Sequence, residues 1–404
     1  MTARADFRDK FAIVGLGQTK VGHLPGMTVP MLEAEAGRLA IEDAGLEPAD
    51  IDAALQAQSD PGGGIRPRSD DSFARMLGLP AKLYMENIGR GGEYHAMAIL
   101  IATQLLDLGI ARYVLVSGAR DDWSRSRLGK AVGASGQQFW ERSGAVARAF
   151  GSIQAMTFHA MLARRHMAEF GTTSRQLGIV AVAQREWANR NPAAFMYGRP
   201  ITIEDHQNSP MQADPYRLLD VCLVSDSGSA FVVTTAERAR DLKQKPLYIK
   251  GLGFGEQLAH LWWDKQNYTR LAVETAKHDA FELAGITLQD IDVAQLYDCF
   301  TGEVLFQLED YGWCGKGEGG PWLEEGHLGP SGDVPVNTGG GLLSSHHLGS
   351  LTGFAELIYQ LRGQGGERQV KDARLGFATG HGGEIVSGQM CSIHTTTVLG
   401  NQLG

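Results

Sequence analysis

The sequence predicts an α/β fold made of two similar halves. Three observations predict it. Short apolar strands alternate with helical stretches from Phe11 onward, the pattern of sheets layered with helices. A stretch from Glu42 to Ala54 recurs from Glu282 to Ala294, at an offset of 240 and with seven of thirteen positions identical. Each half also has a glycine-rich loop running into an apolar helix: Gly89-Arg90-Gly91-Gly92 in the first, Gly339 to Gly349 in the second. Two such halves, with their apolar helices facing each other, would bring both loops to one shared site. A chain of 404 residues is too long for one ordinary core and suits this arrangement.

Taken in order, Phe11 to Gly17 reads as a buried strand. Met31 to Ala44 has helical periodicity, with Gly45 as its stop. Asp50 to Gln58 reads as a strand, Ser59 to Gly64 as a turn-rich loop, and Tyr84 to Ile88 as another strand. Glu93 to Leu108 is apolar nearly all round, which predicts a buried helix. Tyr113 to Ser117 is a buried strand. Arg120 to Gly151 is polar and glycine-spotted, an excursion or lid that opens a loop insertion around 120–215. Amphipathic helices follow at Ala155 to Phe170 and Ser174 to Asn189, then a loop from Ile201 to Asp220 and a strand from Gly228 to Thr234. Lys245-Pro246 marks the boundary between an N-terminal half, 1–244, and a C-terminal half, 245–404. Leu247 to Lys250 opens the second half as a strand. The loop from Glu256 to Tyr268 carries His260, Trp262 and Trp263, which line an acyl pocket or pack between subunits. From Thr352 to Arg362, Phe354, Leu357, Ile358 and Leu361 fall on one helical face.

Composition narrows the class. Apolar content of 43% with 21% charged residues is ordinary for a soluble globular protein. A net charge of −9 argues against nucleic acid as a partner. No apolar run reaches the length of a membrane span, and Met1 to Asp6 lacks the apolar core of a signal peptide. Cys222, Cys299, Cys314 and Cys391 are scattered without a paired framework, as expected in the reducing cytoplasm.

The chemistry gathers around Val336 to Gly353. Gly339, Gly340 and Gly341 remove Cβ atoms, which permits positive φ and close approach of a ligand. His347 then falls near a helix N-terminus, where N–H groups and the dipole favour negative charge such as a thioester enolate or a tetrahedral oxyanion. The same spacing equally suits a plain turn with histidine caps. Cys391 and His394, with His381 ten residues before Cys391, lack a fourth zinc ligand, and no metal is expected. Gly15-Leu16-Gly17-Gln18-Thr19-Lys20 is not a Walker loop.

These residues carry a resemblance over nearly the whole chain. Val336-Asn337-Thr338-Gly339-Gly340-Gly341 resembles the Val-Asn-x-x-Gly-Gly block of the thiolase superfamily, and His347 falls on the histidine of its Gly-His-Pro motif. Tyr297-Asp298-Cys299-Phe300 is similar to the His-Asp-Cys-Phe block of the sterol-carrier branch, with tyrosine in place of histidine. The stretches from Ile201 to Asp205 and Asp220 to Asp226 resemble the same branch. The resemblance implies a five-layer αβαβα fold, a homodimer and a CoA thioester as substrate, with no cofactor.

Two departures point to the function. The thiolase nucleophile is a cysteine at the start of the first buried helix, and the matching position here is Arg90. No cysteine lies between Met1 and Val221. The second thiolase cysteine is replaced at His381-Gly382-Gly383. The chain therefore resembles the cysteine-less thiolase-like aldolases that cleave steroid side chains, also in Leu296-Tyr297-Asp298 and in Glu309 to Glu318. Those aldolases carry a second tyrosine where this chain keeps His347. They work with a small protein built of an OB fold and a zinc ribbon, which implies such a partner here.

A retro-aldol on a β-hydroxyacyl thioester needs a base, donors for an enolate, and an acid. Tyr297 supplies the base if its pKa is lowered, with His347 or His381 as the cationic or hydrogen-bonding neighbour, or relays a proton to His381. Without the resemblance, Tyr297 reads as a buried core tyrosine and His381 as a loop histidine. His347 and nearby N–H groups hold the enolate oxygen, and His381 shuttles a proton. Arg90, Asn337, Gly340, Gly341 and His346 complete the site as substrate-binding positions, and Asp298 orients a neighbour. The alternatives are a non-catalytic thiolase-shaped scaffold, or an acyltransferase with an unusual nucleophile.

Overall fold

The computed structural model describes residues 7–57, 72–86, 88, 92–127, 155–256, 269–382 and 393–404. In chain order the elements are β1 (Phe11–Gln18), α1 (Val29–Ala44), β2 (Ala53–Gln56), β3 (Leu83–Met85), α2 (Tyr94–Asp107), β4 (Val114–Asp121), α3 (Asp122–Arg127), α4 (Ala155–Phe170) and α5 (Ser174–Ala188). They continue with α6 (Ile203–Asn208), β5 (Met211–Ala213), β6 (Tyr216–Arg217), β7 (Asp226–Thr235), β8 (Leu247–Glu256), α7 (Val273–Ala284), β9 (Val293–Gln295), α8 (Thr301–Tyr311), α9 (Gly319–Glu324), α10 (Ser350–Arg362), β10 (Leu375–Gly382) and β11 (Ile393–Gly400).

Nine strands form one mixed sheet in the order β3-β2-β4-β7-β1-β8-β11-β10-β9. The order is nearly symmetric about the β1–β8 junction, where only Ala12↔Tyr248 and Ile13↔Leu247 pair. Strand β2 runs parallel to β4, and β9 runs parallel to β10. Helix α1 covers one outer face and α7 the other. Between the halves lie α2 and α10, in contact through His95 and Phe354, whose ring centroids are 4.9 Å apart. The two halves of this sheet, joined at β1 and β8, are therefore two layers of five: helix, half-sheet, paired central helices, half-sheet, helix. The central core draws on both halves, with Ile99 and Ala102 of α2 beside Leu351, Phe354 and Ile358 of α10. Burying nearly every side of α2 is what its all-round apolar sequence requires.

The sequence repeat has a mechanical explanation. Helices α1 and α7 both stop at a glycine in the left-handed region, Gly45 (φ 74°) and Gly285 (φ 66°). Each is followed by a single 3-10 turn closed by an aspartate. Asp50 Oδ2 accepts the Glu47 N–H at 2.9 Å, and Asp290 Oδ2 accepts the Thr287 N–H at 2.8 Å. Two residues on, Asp52 accepts the Arg112 N–H at 2.8 Å and Asp292 accepts the Arg374 N–H at 2.8 Å, fastening each strand to its neighbour. The strand expected from Asp50 therefore begins only at Ala53, because the Asp50 and Asp52 carboxylates are engaged at the turn and the strand ends.

Other expected bounds change too: the strand expected over Tyr113 to Ser117 runs on to Asp121, and the one expected over Tyr84 to Ile88 is Leu83–Met85. The loop expected from Ile201 contains α6, started by Thr202, whose Oγ1 accepts the Asp205 N–H at 3.1 Å while Asp205 accepts the Thr202 N–H at 2.8 Å. Of the expected lid, residues 120–127 are described and 128–151 lie outside the described residues, as does the loop carrying His260, Trp262 and Trp263.

Candidate active site

Tyr297 stands two residues beyond β9. Its N–H donates to Thr379 Oγ1 at 2.8 Å, and its carbonyl accepts the Gln307 side-chain N–H at 2.7 Å. Thr379 in turn donates to Gln307 Oε1 at 2.7 Å, so β10 and α8 both fix the tyrosine backbone. Asn337 adds a third brace: its Oδ1 accepts the Leu296 N–H at 2.7 Å. It is 1% exposed, so this expected substrate-binding residue gives its amide oxygen to the protein's own backbone.

The tyrosine ring leans over the start of α2. A Cβ at Gly92 would lie 2.3 Å from Tyr297 Cε2 and 2.3 Å from the His381 carbonyl oxygen, so position 92 must be glycine. The Gly92 N–H donates to that carbonyl at 2.8 Å. His381, near the end of β10, is fully buried, and its ring centroid lies 6.2 Å from that of Tyr297. Burial, followed by the charges of Cys299, Glu303 and Tyr94, pushes the Tyr297 phenol well above its usual value near 10, although Arg120 pulls it down. This corrects the expectation of a lowered pKa. The hydroxyl is a donor at rest and can take a proton only by passing its own on.

His347 follows a wide helical turn, Gly341–Ser345, and precedes α10. Its N–H donates to Ser225 Oγ at 3.0 Å, and its Nδ1 lies 3.0 Å from the Arg120 guanidinium. Burial first, then the charge of Arg120, depresses its imidazole to about 3. His347 is thus neutral, with Arg120 Nη1 3.0 Å from its Nδ1 and 3.5 Å from its Nε2. Of the two histidines expected beside Tyr297, His347 is not a cation; the cation that acts on the phenol is Arg120. Arg120 closes the last turn of β4 and also pairs with Asp122 at 3.2 Å.

The glycines of the 339–341 run serve the turn itself. Gly340 (φ 97°) and Gly341 (φ 60°) lie in the left-handed region, and a Cβ on Gly341 would meet Asp298 Oδ2 at 2.1 Å. Gly340 packs on Ala188. The close approach that these glycines permit is made by the protein's own side chains. Asp298 accepts the Leu342 N–H at 2.9 Å and the Leu343 N–H at 3.3 Å, the orienting part expected of it. Burial nonetheless raises its carboxyl to about 7, against the pull of those two N–H groups. Gly341 and His346 also line a separate cavity of about 320 Å³ beside α10, which Gln18, Gln295 and Glu356 share. His346 is held to about 4 by burial, with Nδ1 3.0 Å from Ser345 Oγ. Arg90 lies outside the described residues, as does Cys391.

Three residues of this region carry no signal strong enough to single them out in the sequence: Arg120, His159 and Glu303. Glu303 sits in the first turn of α8, fully buried, with Cys299 Sγ donating to its Oε2 at 2.9 Å, His159 Nδ1 against its Oε1, and His381 Nε2 3.8 Å away. Its one sequence mark is a charge in the first turn of a helix that also carries Glu309 and Asp310, four residues before Gln307.

A layered αβαβα body with two facing central helices, and acid–base side chains gathered at one end of them, defines a thiolase-like protein. The family described as Thiolase C-terminal domain-like matches residues 255–401. An acetyl-CoA acetyltransferase of Methanothermobacter thermautotrophicus is 34% identical over 95% of this chain and 98% of its own. A steroid side-chain-cleaving aldolase of Thermomonospora curvata is 35% identical over 87% of this chain and 90% of its own. The solved structure of an Ltp2-ChsH2(DUF35) aldolase superposes with a TM-score of 0.83 at 32% identity, covering 98% of both chains. The chain belongs to the thiolase superfamily.

Proposed function

We propose that this chain is a thiolase-like carbon–carbon lyase. It cleaves a β-hydroxyacyl-CoA by retro-aldol chemistry into a ketone or aldehyde and a shorter acyl-CoA, with a steroid or other bulky acyl group as substrate. The observation that carries the reading is the seat of Tyr297. Its ring occupies the mouth of the first central helix, against Gly92, two residues along the sequence from Arg90, the position that matches the thiolase cysteine. A proton-moving group stands there instead of an acyl-accepting one. The relative named as a steroid side-chain-cleaving aldolase supports the same class.

Binding the thioester beside His347 sets its carbonyl oxygen against the ring N–H of a neutral imidazole backed by the Arg120 cation. Donors fixed before the reaction stabilise the enolate oxygen as the carbon–carbon bond breaks. Tyr297 takes the β-hydroxyl proton while passing its own toward His381. CoA is substrate here, and no cofactor enters the scheme.

The acetyltransferase relative keeps a second reading alive: acyl transfer through another nucleophile. Against it, burial pushes the Cys222 thiol up to about 12, too high for a thiolate at neutral pH. A non-catalytic scaffold is the third reading. We also propose a division at residues 244 and 245, a homodimer, a cytoplasmic location and a small OB-fold and zinc-ribbon partner. The structural neighbour's name, Ltp2-ChsH2(DUF35) aldolase, pairs an aldolase with a DUF35 component and supports the partner. Among the described residues no helix is long and apolar enough to cross a membrane.

The test is release of ketone or aldehyde from β-hydroxyacyl-CoA thioesters by wild type and Tyr297→Phe, alone and with the co-expressed partner. Loss of one positioned acid–base group should lower the rate about 100- to 10,000-fold while the melting temperature holds. Near-wild-type turnover by a folded Tyr297→Phe protein sinks the mechanism. A covalent acetyl adduct after incubation with acetyl-CoA restores the acyltransferase reading.

A further inference from the structure

Helices α4 and α8 are joined by two buried histidine–glutamate pairs, and the two pairs are built differently. In the outer one, Glu309 meets His166 Nε2 at 3.0 Å, Lys316 Nζ at 3.1 Å and the Gly319 N–H at 3.0 Å. Burial works to raise the Glu309 carboxyl, but His166 and Lys316 together bring it below its usual value. A permanent cation holds that carboxylate ionised, which is how a structural ion pair is made. In the inner pair, the described partners of Glu303 are His159, Cys299 and His381. Each of these can give or take a proton, and the pair faces Tyr297 instead of the outer surface of α9.

A metal is the other use of a histidine, a cysteine and a glutamate with donor atoms within 4.8 Å of one another. Tetrahedral zinc, with bonds of about 2.0–2.3 Å, sets its ligand atoms about 3.3–3.8 Å apart. Cys299 Sγ lies 2.9 Å from Glu303 Oε2, and His159 Nδ1 is closer still to Oε1. These are hydrogen-bond separations, with no room between the donors for an ion. The arrangement holds protons.

We propose that Glu303, backed by His159, is the proton acceptor that serves the active site through His381. This rests on the retro-aldol reading above. The substrate hydroxyl proton goes to Tyr297 Oη, the phenol proton to His381, and a proton from His381 to Glu303. The carbon–carbon bond electrons pass to the thioester oxygen. The path then runs backward and delivers one proton to the α-carbon, so that hydroxyl hydrogen and carbon hydrogen balance with no outside reagent. The 3.8 Å between His381 Nε2 and Glu303 Oε1 is closed by a small ring rotation or one bridging water. Glu303 is a positioning and proton-storing residue, one step removed from substrate. The titratable groups around it are His159 from α4, His381 from β10, Cys222, and Tyr297, Asp298 and Cys299 from the segment before α8.

The experiment compares wild type, Glu303→Gln, His159→Gln and, as the control on the outer pair, Glu309→Gln. Two reactions are followed: cleavage of β-hydroxyacyl-CoA, and exchange of the acetyl-CoA α-protons with deuterium oxide by NMR. Glu303→Gln should lower kcat about 100-fold with KM nearly unchanged, change the solvent deuterium isotope effect, and abolish α-proton exchange. His159→Gln should lower both rates less. Glu309→Gln should lower the melting temperature and leave kcat of the folded fraction intact. Should wild type cleave substrate and Glu303→Gln cleave it equally well, the inference fails and the aldolase reading stands. Should wild type cleave nothing, the aldolase reading fails, and α-proton exchange decides alone. Exchange lost in Glu303→Gln supports the inference; exchange absent in wild type or unchanged in the variant overturns it. If Glu303→Gln does not fold, His159→Gln decides by the same two rates. Stoichiometric zinc in the purified protein, lost in Cys299→Ser, also overturns it.

Discussion

The two halves of the molecule are copies on their outer faces and strangers at their inner ends. Outside, glycines on the strand let the covering helix sit almost on the backbone. A Cβ on Gly15 or Gly17 would lie 2.1 Å from the carbonyl oxygens of Ala40 and Ala36; on Gly251 or Gly253 it would lie 2.0 and 1.9 Å from those of Ala280 and Ala276. The same glycine-on-alanine contact is thus made twice. At the inner strand ends the copies part. Ala57 in the first half is buried and its N–H donates to the Ser117 carbonyl at 2.8 Å. Its counterpart, Tyr297, donates to a side chain and extends a phenol toward α2. Outer contacts specify the fold, and at the inner ends one copy carries a phenol where the other carries a methyl group.

On that division, the largest effects on stability come from the outer contacts, with equal force in either half. Gly17→Val and Gly253→Val should each cost about 3 kcal/mol, because the clash is with helix backbone and not with a flexible side chain. Denaturant unfolding checks this, and a well-tolerated substitution in one half alone would break the symmetry. Substitutions at the inner ends should spare folding and change rates. Arg120→Gln removes the hydrogen bond and the charge behind His347, and kcat should fall about 100-fold with a normal melting temperature. Arg120→Lys should recover part of the loss, since it restores charge without the planar fork.

The smallest effect is on acid stability, and it sharpens the contrast inside the second half. His347 is depressed to about 3 in the folded state. Between its ordinary value near 6.5 and that point, the unfolded chain binds the extra proton, so His347 makes the fold lose stability as pH falls. Asp298 is raised to about 7. From there down to its ordinary value near 3.9, the folded chain binds the extra proton, so Asp298 makes the fold gain stability as pH falls. The two oppose each other. His347→Gln should therefore flatten the acid side of a plot of melting temperature against pH, and Asp298→Asn should steepen it. Matching slopes in the two variants would contradict this assignment.

Much of the fold is legible in the sequence because its punctuation is local. Gly45 and Gly285 end their helices at positive φ, and the aspartates repeated at 50, 52, 290 and 292 each close a turn or a strand end within a few residues or one neighbouring strand. The capping box at Thr202 is equally local yet easily missed, because a Thr-x-x-Asp pattern inside a polar stretch looks like any loop. The placement of Tyr297 and His381 side by side follows from the repeat and the resemblance. Arg120 does not, because it belongs to a strand that runs on past Ser117, into what reads as the opening of a lid. Glu303 does not, because its meaning depends on His159, 144 residues earlier in the chain, and no spacing rule connects them. Partners joined only by packing are what a linear reading loses.

The missing space at Gly92 constrains how this scaffold could change its chemistry. A side chain there meets two obstacles, the Tyr297 ring and the His381 carbonyl, and only the first can be trimmed by substitution. The backbone carbonyl belongs to β10 and takes the Gly92 N–H as a hydrogen bond, so it cannot retreat without giving up the contact that closes the start of α2. A designer who wished to install a thiol nucleophile in this chain could not graft it at residue 92, with or without a smaller residue at 297. The route would have to begin upstream of the helix.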